Sequence, residues 1–405
     1  MDRREQASTD ESEYSIAEFK DLPLTSLHLA KDHFFSPEDL TSIKPEQILA
    51  RMLSTKSYIL TASSLAELNN VTRGNASQQR FLEIGKGQCG TVYALLGTDT
   101  VAKIPNSAEK VCQLLTDFEM HTRIIEAMTD VETGIDMGIK IPKLYRWATP
   151  NSKNFWSNYG LRFAQNVDAQ NFAIISSRVF PIPFPIREAI VDVLCPRIIQ
   201  RQKAEFLAKP ENQNCLIRTY LGRRLTSKGK TSLESFKLQN FPLHVNEMED
   251  LQLVTSSFAQ VMAQTLAILH WKAGVDGNDI EFILGSAPLS TQMRADEIDE
   301  DNEWSLGERF DFCRRSISLW LIDFNQCAKF EDTDAGLKKT VDAFIWNNPY
   351  YPSPSSTMEE DKKLWRDFSQ RYLDVSRMLT TSTTPHRFIT EVEKQGRKGT
   401  VDELF

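Results

Sequence analysis

Apolar residues recur at spacings of three and four through Phe258, Val261, Met262, Leu266 and Leu269, which predicts a helix with one buried face. The stretch Gly274-Val275-Asp276-Gly277-Asn278-Asp279-Ile280-Glu281 follows, with three carboxylates within six positions, and it runs straight into Phe282-Ile283-Leu284. That order reads as helix, acidic loop, strand. About forty residues later a second apolar run, Leu319-Trp320-Leu321-Ile322, is closed by Asp323, Phe324 and Asn325. Upstream, Phe81 to Leu95 reads as strand, glycine turn, strand, and Val101-Ala102-Lys103-Ile104 as a further strand. Val111 to Ile125 has the spacing of a helix, and Phe172-Ala173-Ile174-Ile175 that of a buried strand. The alternating prolines of Val179-Phe180-Pro181-Ile182-Pro183-Phe184-Pro185 forbid a helix and predict a stiff extended connector.

At the beginning of the chain, residues 1 to about 21 are polar and acid-rich and predict disorder. Two helix starts follow, each with proline in the first turn: Ser36-Pro37-Glu38-Asp39, and Lys44-Pro45-Glu46-Gln47 leading into Ile48, Leu49 and Met52. Leu364, Trp365, Phe368 and Tyr372 predict a last amphipathic helix whose aromatics are core. Residues 287–309 contain Asp296-Glu297-Ile298-Asp299-Glu300-Asp301 and read as a flexible acidic insertion. The expected organisation is an N-terminal extension over 1–75, a small β-rich lobe over 76–180 and a larger, mostly helical lobe over 181–405.

Composition narrows the picture. The 405 residues are 41% hydrophobic and 10% aromatic, enough for a sizeable core in one two-lobed domain or two small ones. Lys plus Arg is 47 against 55 for Asp plus Glu, a net charge of −8, so no DNA partner is expected and RNA contact would need a local patch. One such patch exists. From Arg197 to Lys237 there are ten Lys or Arg against three Glu, with Phe206, Tyr220 and Phe236 interleaved. A charge run of this kind is usually a solvated face; beside a phosphate-handling cleft it would hold RNA through Arg197, Arg201, Arg223 and Arg224. The six cysteines form no C-x-x-C pair, so zinc spacing is absent and a reducing compartment is expected. With no apolar signal segment and no run of about eighteen apolar residues, the chain reads as soluble and cytoplasmic.

The candidate chemistry follows chain order. Gly85, Gly87, Gly90 and Val92 fit G-x-G-x-x-G-x-V, where glycine lets backbone approach a phosphate. The strand-like residues after the glycines favour a hairpin over a dinucleotide-binding turn, which would need a helix there. Lys103 then stands where a phosphate-gripping lysine would, and Glu119 sixteen residues on would be its ion-pair partner from the next helix. Taken singly, Lys103 is a surface lysine and Glu119 a solvated helix residue. In the order glycine turn, Lys103, Glu119, Asp276, Asp323, they read as an α+β, protein-kinase-like two-lobed fold. The details depart from a working kinase. Val275 precedes Asp276 where an arginine is usual, Asn278 replaces a lysine, Glu281 replaces a metal-binding asparagine, and Asp323-Phe324-Asn325 replaces D-F-G. Asp276, Asp279, Glu281 and Asp323 suit an Mg²⁺ cluster or proton carriers, since crowded carboxylates raise one another's pKa.

Gly85 to Leu95, Val101 to Pro105, Val179 to Pro183, Asp276 to Gly285 and Leu321 to Asn325 together resemble a fungal family of kinase-like proteins. The resemblance covers roughly residues 80 to 380, and Asp276-x-x-Asp279-x-Glu281-Phe282-x-Leu284-Gly285 is its most specific part. Most members have been described only as of unknown function or zinc-finger-like, and the zinc description finds no ligand set in this chain. Arginine-containing cyclodipeptide synthases look like members. The resemblance implies an enzyme that takes arginine and a second amino acid from arginyl-tRNA and another aminoacyl-tRNA and releases a cyclic dipeptide for secondary metabolism, with no cofactor. On that expectation the acidic cluster serves amine activation or arginine selection, and the glycine turn and Lys103 hold the terminal nucleotide of tRNA. The alternatives are a small-molecule phosphotransferase using ATP and Mg²⁺, or a catalytically silent kinase-like binding protein.

Overall fold

The structure, a computed structural model, describes residues 40–61, 64–73, 75–131, 136–164, 167, 171–225, 236–291 and 309–402. The helix start at Ser36, the polar beginning over 1–21, the central part of the basic run and most of the acidic insertion lie outside the described residues. The first elements are α1 (Pro45–Met52), β1 (Lys56–Leu60), α2 (Ser64–Arg73), β2 (Phe81–Lys86), β3 (Gly90–Leu95) and β4 (Thr100–Pro105). Then come α3 (Val111–Val131), β5 (Ile139–Lys140), β6 (Leu144–Ala148), β7 (Ala173–Ser177), α4 (Phe184–Leu194), β8 (Ile217–Tyr220) and β9 (Phe241–His244). The chain continues through α5 (Thr255–Ile268), β10 (Glu281–Thr291), β11 (Arg309–Ile322), α6 (Asp334–Trp346), α7 (Glu359–Leu379) and α8 (Thr384–Asp402).

Two sheets result. The first, in the order β2-β3-β4-β7-β6, is antiparallel throughout and has its own core of Phe81, Leu95, Ile104, Trp156, Phe163 and Ile175. The second runs β1-β11-β10-β8-β9, with β5 beside β11. The C-terminal region is helical, and α5 packs against α7 so that Met262, Leu266, Phe368 and Tyr372 share the larger core. Each such apolar side chain stabilises the fold by roughly 1.5–3 kcal/mol when fully buried. The protein is thus mixed α/β, with a β-sheet N-terminal region and a helical C-terminal region.

Several local expectations need amendment. The helical region also carries the second sheet, because β10 and β11 form a long hairpin whose strands run to Thr291 and from Arg309 into the span assigned to the acidic insertion. The N-terminal extension supplies an edge of that sheet, β1 pairing with β11 from Lys56↔Ser318 to Leu60↔Arg314. The proline-rich connector ends at Pro183, since α4 starts at Phe184 and takes Pro185 in its first turn, where a missing N–H costs nothing. The helix of Leu364 and Tyr372 is followed by one more, α8.

The hairpin positions the chemistry. Its register pairs Glu281 with Ile322, so the first residue of β10 stands beside the end of β11 and next to Asp323. On the other side β8 pairs with β10, Arg218 opposite Ile283. Side chains alternate along a strand, so Glu281 and Ile283 share a face and Arg218 reaches Glu281 diagonally.

Candidate functional site

The β2–β3 hairpin covers a cavity of about 310 Å³ whose lining includes Gly85, Gly87, Gly90, Lys103, Glu281 and Asp323. The glycines differ in what the protein itself asks of them. A methyl group on Gly90 would sit 2.6 Å from the Ile104 carbonyl oxygen, so β4 alone excludes a side chain there. On Gly85 it would meet no protein atom within 4 Å, leaving the backbone open to a ligand.

Lys103 extends from β4 into the cavity. Its ammonium donates to Asp117 Oδ2 at 2.6 Å and to Asp323 Oδ1 at 3.4 Å. Burial alone would lower the lysine pKa, but the Asp117 and Asp323 carboxylates hold it above its ordinary value. Asp117 also accepts the backbone N–H of Phe324 at 3.2 Å, tying β4, α3 and the end of β11 into one unit. Asn325 donates to Asp323 and is held in turn by Gln113 at 3.3 Å. Glu119, expected to pair with Lys103, does not: it is exposed, on the outer face of α3. The buried stripe of that helix is Leu114, Asp117, His121, Ile124 and Met128, at spacings of three and four, and only a carboxylate in the stripe faces β4. An acid within an apolar stripe was the available signal for Asp117.

Glu281 lies across the cavity and forms an ion pair with Arg218. Burial raises its pKa to about 7, opposed by Arg218 and assisted by Asp323 and Asp279. Burial likewise raises that of Asp323, with Lys103 opposing. Arg218 counted in the sequence only as one more member of the basic run, because its partner is 63 residues away and no local pattern marks it.

The other two carboxylates stand behind the cavity wall. Asp276 is 3% exposed; its Oδ1 accepts the backbone N–H of Asn278 at 3.1 Å and of Ala328 at 2.9 Å, and Lys339 approaches Oδ2 at 3.8 Å. It joins the acidic loop to the segment after Asp323. Asp279 accepts from Gln326 and, at 3.3 Å, from the indole of Trp346, while its N–H donates to Asn347. Asp279 and Asp323 both have positive φ, 60° and 65°, a conformation that Asp tolerates better than most residues and that clusters at working sites.

Of the expected RNA contacts, Arg197, Arg201 and Arg223 are exposed. Arg224 is not available for RNA. It makes a two-pronged bond to Glu249 at 2.7 and 2.9 Å and reaches Asp361 at 2.6 Å, so both its charge and its donors are engaged within the protein. Residues 226–235 of the basic run lie outside the described residues. Among the described residues, no three His, Cys, Asp or Glu are arranged to hold a metal ion, and no helix is long and apolar enough to cross a membrane.

A family model described as DUF3669, zinc finger protein, matches residues 319–384, the span from the end of β11 through α7. Those residues include Asp323 and Asn325, one cysteine, Cys327, and no histidine, so the zinc-finger description finds no zinc ligand set there. A comparison with curated proteins finds no match.

Proposed function

We propose that the protein is a kinase-like, two-lobed enzyme that makes a cyclic dipeptide from arginyl-tRNA and a second aminoacyl-tRNA. The observation that carries this reading is Glu281, a carboxylate with a pKa of about 7 facing the same cavity as Lys103 and the glycine hairpin. An aminoacyl ester is already activated, so the site must position two substrates and move protons. Holding them in register is the largest available term. One α-amine attacks the carbonyl carbon of the other ester; the C–N bond forms, the C–O bond to the ribose breaks, and the tRNA hydroxyl leaves. Glu281 takes the ammonium proton and returns it to the departing oxygen, a role worth about 10²–10⁴-fold. A second, intramolecular attack closes the ring. Lys103 and the open backbone at Gly85 suit the phosphate and ribose of a tRNA terminus, and Asp323 with Asp279 supplies negative potential for an arginine guanidinium.

The clamp of Lys103 between Asp117 and Asp323 favours a second reading, phosphotransfer to a small molecule. Mg²⁺ for that reaction wants several oxygen ligands, and among the described residues the carboxylates do not converge as such a set. One experiment separates the readings. Purified protein receives a tRNA-charging mixture with arginine and each other amino acid, with and without ribonuclease, and products are read by mass. A ribonuclease-sensitive cyclic dipeptide supports aminoacyl transfer; ATP turnover without it supports phosphotransfer; neither would overturn both.

A further inference from the structure

A second, larger cleft of about 650 Å³ opens between the C-terminal half of α3, β5 and the β10–β11 hairpin. Its walls combine the apolar Met128, Met137 and Ile139 with the cations Lys140 and Arg178. Arg178 is only 4% exposed, its Nε has no hydrogen-bond partner, and it has no ion-pair partner among the described residues. Beside it Arg315, also buried, donates through Nη2 to Ser286 at 2.8 Å and leaves its own Nε unpartnered. The two guanidinium carbons stand 4.6 and 4.2 Å from the ring centroid of Phe180, which both arginines therefore share. Lys140 is bound to Ser316 Oγ at 3.2 Å and lies 5.5 Å from the Trp320 ring. Burial lowers the pKa of Lys140, and burial also lowers those of Arg178, to about 10, and of Arg315, to about 9, as expected for cations taken out of water. The carboxylate on the cleft wall, Asp99, accepts from the Tyr145 hydroxyl.

Buried charges in folded proteins are paired. The natural complement of these groups is an anion, and the cleft has the size of a small-molecule site. A polymer backbone cannot reach a guanidinium so deeply buried, whereas a short head group can. We propose that this cleft binds a small organic anion, its carboxylate or phosphate on Arg178 and Lys140 and its apolar body against Met128, Met137 and Ile139. The site is distinct from that of the aminoacyl-transfer reading: Arg178 borders both cavities, but Lys103 and Glu281 take no part in this one.

The test uses the full chain and calorimetry with three probes: phenyl phosphate, inorganic phosphate and benzyl alcohol. Phenyl phosphate is expected to bind at least about tenfold more tightly than either of the others, since only it has both halves. Arg178→Gln should weaken it at least about tenfold, and so should Thr129→Trp, an exposed position on the cleft wall where folding is not at risk. Lys103→Met should leave the affinity within about twofold, which separates this cleft from the one under the glycine hairpin that Arg178 also lines. Absence of binding at millimolar phenyl phosphate, an unchanged affinity in Thr129→Trp, equal binding of inorganic phosphate, or loss of binding in Lys103→Met would each overturn the proposal.

Discussion

Asp117, and not Glu119 two residues further along the same helix, holds Lys103, with 2.6 Å between Oδ2 and Nζ. Because Asp117 also accepts the Phe324 N–H, the pair sets where Asp323 stands relative to β4. Asp117→Asn should therefore lower turnover at least about tenfold and destabilise the fold by about 2 kcal/mol, the scale of a hydrogen bond to a charged group. Glu119→Gln should change neither by more than about twofold or 0.5 kcal/mol, as for an ordinary surface position. Steady-state rates and thermal melts of the two variants check this, and equal effects would remove Asp117 from the site.

The difference between those two acids marks how far the sequence could be read. The glycine hairpin, Lys103 and Asp323 are short-range signals, each carried by neighbours in the chain, and all three meet in one cavity. The Arg218–Glu281 pair is a cross-strand contact, set by a register that only the assembled sheet fixes. Asp276 was legible as an acid in a loop but not as the acceptor for Ala328, 52 residues on. The second cleft was hidden for the same reason: α3 and β5 meet a hairpin from a distant stretch of the chain, and Arg178 looks like any arginine until its burial is known.

The rate should depend on pH if the base of the proposed aminoacyl transfer is Glu281. Its pKa of about 7 means that the carboxylate needed as a base forms as pH rises through neutrality. The rate should climb from about pH 6 to pH 8, and Glu281→Gln should lose this limb and about 10²–10⁴ in rate. The stability effect has the opposite sign. The folded pKa lies above the unfolded value of about 4.3, so this group's contribution is full below about pH 4.3 and falls as pH rises to about 7. Melting temperatures of the wild type relative to Glu281→Gln should thus decline from about pH 4 to pH 8. A flat difference, or an unaltered pH–rate profile in the variant, would rule out the assigned role.

Asp276 is expected to behave as a fastener. Removing its carboxylate in Asp276→Ala leaves the Asn278 and Ala328 N–H groups without their acceptor. An unmet buried donor costs about 1–3 kcal/mol, so the variant should lose about 3 kcal/mol of stability. Asp276→Asn retains an acceptor oxygen and should recover most of that loss. If both variants melt like the wild type while turnover vanishes, Asp276 touches substrate instead.

Arg223 and Arg224 are neighbours with opposite assignments. Arg223 is exposed, whereas Arg224 bridges Glu249 and Asp361. Hydrogen bonds to Glu249 and Asp361 hold the pKa of Arg224 above the ordinary arginine value, outweighing burial, which lowers it. Arg224→Ala would leave the two acids facing each other without a cation, so the protein should melt earlier, and earlier still at low salt where their repulsion is unscreened. Its effect on RNA affinity, measured on the folded fraction, should be small. Arg223→Glu should do the reverse, leaving the melt unchanged, weakening tRNA binding and lowering the slope of log affinity against log salt by about one. Titrating labelled tRNA across a range of salt concentrations with both variants reads the two effects independently. Were Arg224→Ala to lower the salt slope as much as Arg223→Glu, the ion pairs with Glu249 and Asp361 would have to open when RNA binds.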